Sequence, residues 1–124
     1  MKPLYNLKKL KELCNQDPEL IEESIKFFYD ETVYNLSLMM VKLEKHEFND
    51  VRNIAHRMKV NFVFIGSSIC VDLCKRIKHQ STNEEIGLLV SQLKSEYFKI
   101  YQQLKIEYFK ILNYEDISFF KKIE

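Results

Sequence analysis

Glycine occurs only at positions 66 and 87 and proline only at 3 and 18, so a chain of 124 residues has almost no turn residues to work with. Strand-rich folds need such residues every eight to twelve positions or so. Few breaks mean long elements, and apolar residues recur three or four apart along most of the chain. The expected fold is all-α, an antiparallel four-helix bundle with a short additional N-terminal helix. Residues 1–124 are expected to make a single domain, because the length supports one core and not two.

The candidate elements follow from their punctuation. Asn6 is a candidate cap for a short helix with Leu7, Leu10, Leu13 and Cys14 on one side, and Asn15-Gln16-Asp17 ends it. Asp17 before Pro18 reads as an N-cap with proline at the first helical position. That helix runs to about Lys45, with Ile21, Ile25, Phe28, Leu36, Met39 and Leu43 as its apolar set. A polar hinge over His46 to Asn49 follows, and Asn49 or Asp50 caps a third long helix that stops near Gly66. Ser67 or Ser68 opens a fourth helix, with Ile69, Cys70, Leu73, Cys74 and Ile77 inward. Ser81 with Glu84, or Thr82 with Glu85, forms a capping box for the last. Its apolar set is Val90, Leu93, Tyr97, Ile100, Leu104, Tyr108 and Ile111. The tail, 113–124, carries Ile117, Phe119 and Phe120 and is either peripheral or packed back.

Several functions are disfavoured by the same reading. A net charge of +1, from 19 basic and 18 acidic residues, does not call for nucleic acid. The aromatic residues interleaved with lysine near the C-terminus, Tyr97 to Phe109, read as core packing for the same reason. No segment approaches the roughly 20 apolar residues of a membrane span, and Met1-Lys2-Pro3 is not followed by an apolar run of signal length. Three cysteines without framework spacing suggest free thiols and a cytoplasmic location. Cys70 and Cys74 lie one turn apart with His79 beyond them, but their place on the core stripe argues for packing over a metal. With glycine only at 66 and 87, no phosphate-binding loop can be written. The chain is therefore no nucleotide-using kinase, and no cofactor is expected.

What remains is a histidine on the wet side of an amphipathic helix. At about 100° per residue, Val51, Ala55, Met58, Phe62 and Ile65 form one buried stripe. His56 lies roughly opposite, beside Arg52, Lys59, Val60 and Val63. A neutral imidazole nitrogen is a good nucleophile toward phosphorus, and Arg52, Arg57 and Lys59 stand nearby in sequence. A phosphoryl group placed there could be stabilised by Lys59 from one turn away.

The run Ala55-His56-Arg57-Met58-Lys59, with Gly66 ten residues after the histidine, resembles the histidine phosphotransfer (HPt) domain family of two-component phosphorelays. The likeness extends over about Leu4 to Leu104 in element order. It implies a phosphocarrier, not an enzyme: His56 would accept a phosphoryl group from a receiver-domain aspartate and relay it to a response regulator. Lys59 would stabilise that group, and Gly66 would let the two hairpin helices approach closely. Where the family often has Gln or Glu facing the histidine, this chain has Lys78, with Lys75 one turn earlier. Those lysines either meet phosphate or an acidic receiver, or are ordinary solvated side chains. Receiver domains of a hybrid kinase or response regulator are the implied partners, any Mg²⁺ would belong to them, and a monomer is expected.

One position departs from the family. Its motif usually continues Lys-Gly, and Val60 stands here instead, next to His56 at i+4. A valine there either narrows access to the histidine or joins Val63 and Phe64, with Arg52, in docking a receiver. The alternative function is an HPt-like helical adaptor that binds receivers without transferring phosphate.

Overall fold

A computed structural model describes residues 3–108 and Leu112. Among them are five helices and no strand: α1 (Lys8–Leu13), α2 (Pro18–Glu44), α3 (Phe48–Ile65), α4 (Ser68–His79) and α5 (Ile86–Glu107). Ile111 and the tail 113–124 lie outside the described residues.

The helix starts show why the chain divides where it does. Asp17 accepts the Glu19 amide at 3.1 Å and Pro18 follows, so α2 begins with one exposed donor satisfied and one absent. Asn6 accepts the Lys8 amide at 2.9 Å and so holds the start of α1. Ser67 caps α4 through the Cys70 amide at 3.3 Å. Ahead of α5 the box is Thr82 with Glu85: the Thr82 hydroxyl accepts the Glu85 amide at 3.2 Å and donates to its carboxylate at 2.9 Å. Ser81 instead donates to the Ile77 carbonyl at 2.7 Å and closes the end of α4.

Neither Asn49 nor Asp50 caps α3. The helix begins at Phe48, and Lys42 at the end of α2 reaches Glu47 at 2.9 Å and Asp50 at 3.5 Å. His46 takes a φ of +58° at the turn between them, and the ion pairs fix that turn while α3 starts without a side-chain cap.

The core sits where the apolar spacing put it. Ile21, Ile25, Phe28, Leu36 and Met39 of α2 are buried, as are Val90, Leu93, Tyr97, Ile100 and Leu104 of α5. Phe28, Phe62 and Tyr97 meet edge-on, with ring centroids 5.8, 5.9 and 6.4 Å apart, and this tripod joins α2, α3 and α5. Such pairs add about 0.5–1.5 kcal/mol each beyond burial. Truncating Phe62, which is fully buried, should cost about 3–5 kcal/mol. Leu13 is the clear exception: it faces solvent while Leu7, Leu10 and Cys14 of its set are buried. Leu43, Ile69 and Tyr108 are only half-buried.

α3 and α4 form an antiparallel hairpin joined through Gly66 and Ser67. Lys78 bonds to Asn53 and Arg52 to the Ser81 carbonyl, which sets their register. Gly66 stops α3 in the left-handed region, with φ +75°. The backbone that passes close to it is not the facing helix, as the family resemblance implied, but the N-terminal segment. A Cβ at this position would collide with the Asn6 carbonyl oxygen, and the Asn6 amide donates to the Ile65 carbonyl at 3.0 Å.

Candidate functional site

α3 carries its charge and its core contacts on opposite sides. Val51, Ala55, Met58, Phe62 and Ile65 are all buried, whereas His56 and Arg57 are exposed. The amphipathic spacing thus puts the imidazole on the solvent ridge of α3.

Lys59 is half-buried and leans toward α4. Burial pushes the Cys74 thiol up, with the neighbouring Cys70 adding to the rise, and the Lys59 charge works against both from the facing helix. On α4, Lys78 donates to the Asn53 side chain at 2.8 Å, one turn ahead of His56 on α3. Counting three residues back along α4 and three forward along α3 from that pair brings Lys75 level with His56. Lys75 is exposed. The histidine therefore lies within a ridge where Arg57, Lys59, Lys75 and Lys78 supply positive charge from two helices. Such a ridge suits an acceptor of a dianionic group.

Arg52 is used differently from the sequence expectation. Its guanidinium donates to the Ser81 carbonyl at 3.2 Å, to Asn83 at 2.9 Å and to Asn49 at 3.2 Å. The bonds to Ser81 and Asn83 tie the α4–α5 connection to α3, a role that spacing alone could not reveal because those two partners lie about thirty residues away.

The apolar residues around His56 splay apart. Val60, 52 % exposed, stands next to the histidine one turn on. Val63 turns toward α4, where it lines a groove with Ile69 and Lys75. Phe64 turns the other way, into a groove between α1 and α2 shared with Leu13, Leu20 and Phe27. The Lys9 ammonium sits 5.6 Å from the Phe64 ring centroid. Val60, Val63 and Phe64 thus span about 100° of the α3 surface and flank the histidine on both sides.

The three cysteines are free thiols, all buried. Burial raises the Cys70 thiol from its ordinary 9.0 to about 11. Among the described residues no group of three or more His, Cys, Asp or Glu side chains is placed to hold a metal ion. None of their helices is long and apolar enough to cross a membrane. Sequence reasoning missed Asn53, which positions Lys78, and the exposed apolar groove below Phe64. No signal marked either, since Asn53 looks like any polar surface residue until α4 packs against it.

No protein-family model matches the chain, and neither the curated proteins nor the solved structures contain a match to it.

Proposed function

We propose that this protein is a histidine phosphocarrier built as an antiparallel four-helix bundle with α1 as an additional N-terminal helix. The observation that carries the reading is the exposure of His56 on a two-helix cationic ridge, with Lys59 one turn away and Lys75 and Lys78 across the hairpin. A neutral imidazole nitrogen attacks the phosphorus of a receiver's aspartyl phosphate. The N–P bond forms as the acyl P–O bond breaks, and the aspartate leaves as a carboxylate. The reverse step hands the group to a second receiver. Exposure permits the in-line approach this requires, and the lysines offset the charge that arrives on His56.

The experiment is intact-mass analysis after mixing the protein with a prephosphorylated receiver domain, parent beside His56→Gln. One acid-labile phosphoryl group on the parent alone is the expected result. A parent that binds receivers but gains no phosphoryl group supports the second reading, a helical adaptor using the same surface.

Exposed Val60 is the observation that favours this second reading, because it crowds the approach to His56. Val60→Ala keeps the helix and removes the bulk. Faster transfer in that variant identifies valine as a steric brake on a working carrier.

A further inference from the structure

On the reading of His56 as a phosphoryl acceptor, we propose that the outward face of the α3–α4 hairpin selects, among receiver domains, those with an acidic rim around the phosphorylated aspartate. The near-neutral total conceals a separation of charge. Residues 51–80 carry Arg52, Arg57, Lys59, Lys75, Arg76 and Lys78 against Asp72 alone, a net charge of +5. With +1 on the whole chain, the remaining 94 residues carry −4. A field divided in this way orients a charged partner before contact.

The fold does not neutralise these cations. Lys26, Lys42 and Lys99 each have a carboxylate partner within 3.5 Å. Among the described residues no ion pair includes a cation of the hairpin: Arg52 donates to Ser81, Asn83 and Asn49, and Lys78 to Asn53. Arg52 is thereby taken up by the α4–α5 connection, and Arg76 lines the α4 groove beside Gln92 and Glu96 of α5. Arg57, Lys59, Lys75 and Lys78 are left around His56. The helix dipole favours cations in the last turn of α4, which accounts for Arg76 and Lys78. It supplies no such reason for Arg57 and Lys59 in the middle of α3.

The apolar side chains among the charges single out a protein as the partner. Val60 and Val63 are 52 and 39 % exposed, and half-buried Val71 shares the groove of Val63 and Lys75. An apolar centre inside a charged rim is the anatomy of a protein–protein contact. Nucleic acid also carries negative charge, but single strands are held by aromatic rings that stack the bases, and the centre of this face is aliphatic. Carboxylates around the donor's aspartyl phosphate would meet Arg57, Lys59, Lys75 and Lys78 as the phosphoryl group comes up to His56. A basic rim would set like charges against each other, which rejects the wrong receiver.

The test is stopped-flow association of the whole chain with two unphosphorylated receiver domains, one of acidic and one of basic rim, so that docking is read apart from transfer. The association rate with the acidic receiver should fall at least about 10-fold between about 0.01 M and 1 M NaCl, as the Debye length shrinks from about 30 Å to about 3 Å. The basic receiver should bind at least about 10-fold more weakly. At about 0.1 M NaCl, Arg57→Glu should slow association several-fold more than Lys8→Glu. Lys8→Glu makes the same change of net charge beside Gly66, at the far end of α3. Both variants should keep the circular dichroism of the parent. A rate indifferent to salt, equal slowing by the two reversals or equal affinity for the two receivers overturns the proposal. So does failure to bind either receiver, or tighter binding of a single-stranded oligonucleotide. Salt-dependent docking without phosphoryl uptake overturns the carrier reading and leaves the docking face standing. Uptake with salt-independent docking does the reverse.

Discussion

Lys78 of α4 donates to the Asn53 side chain of α3 at 2.8 Å, one turn ahead of His56. The bond holds a lysine on the turn that precedes the histidine, and its two partners come from sequence positions twenty-five residues apart.

Replacing Lys78 with Gln retains a donor for Asn53 and removes the charge. The pair is at the surface, so unfolding free energy should change by no more than about 0.5 kcal/mol. The initial rate of phosphoryl uptake on His56 should fall several-fold. An unchanged rate would restrict Lys78 to holding the hairpin together.

Arg52 joins α3 to the α4–α5 connection through Ser81 and Asn83. Arg52→Ala should destabilise by about 1–2 kcal/mol, since it removes charge-assisted bonds at a half-buried site. The check is the urea midpoint at unchanged slope. Receiver affinity should hold steady, because the guanidinium is already committed within the fold.

The two glycines should respond with opposite sign. At Gly66 a Cβ meets the backbone of Asn6, and φ is +75°. Gly66→Ala should therefore cost about 2 kcal/mol or more. Gly87 has open space within 4 Å of where its Cβ would stand, inside α5. Gly87→Ala should stabilise by about 0.5 kcal/mol. Thermal melts of both variants against the parent decide the point.

Alkaline pH should weaken the fold before it reaches the ordinary surface lysines. Burial raises the Cys70 thiol from 9.0 to about 11 and pushes Cys74 up as well. The unfolded chain loses those protons first, so the stability from keeping them is complete below pH 9.0 and declines as pH rises toward 11. For Cys70 alone the loss is on the order of 2 kcal/mol by pH 11. Denaturant midpoints at stepped pH should show the decline, and Cys70→Ala should flatten it. In the native state both thiols should resist alkylation that proceeds freely in urea.

Local chemistry made much of this legible in advance. Asp17-Pro18, Ser67 and Thr82 with Glu85 announce helix starts because each satisfies a nearby amide. The stripe from Val51 to Ile65 is buried, and His56 stands outside it, because helical periodicity sorts faces without knowing what covers them. Where no side chain caps the helix the reading failed: α3 opens at Phe48 without a side-chain cap, and Lys42 of α2 pairs with Glu47 and Asp50 at its start.

By itself the sequence determined the helical class, the approximate extent of α2 to α5, the inward face of each and the outward position of His56. These depend on interactions spanning a few residues. Only the tertiary structure decided that Lys78 meets Asn53, that Arg52 is spent on the α4–α5 connection, that Gly66 must clear the Asn6 backbone, and that Leu20, Phe27, Tyr34 and Val41 of α2 stay exposed among the described residues. Each of these follows from which helices lie side by side and in what register, and hydrophobic burial selects that packing for the chain as a whole.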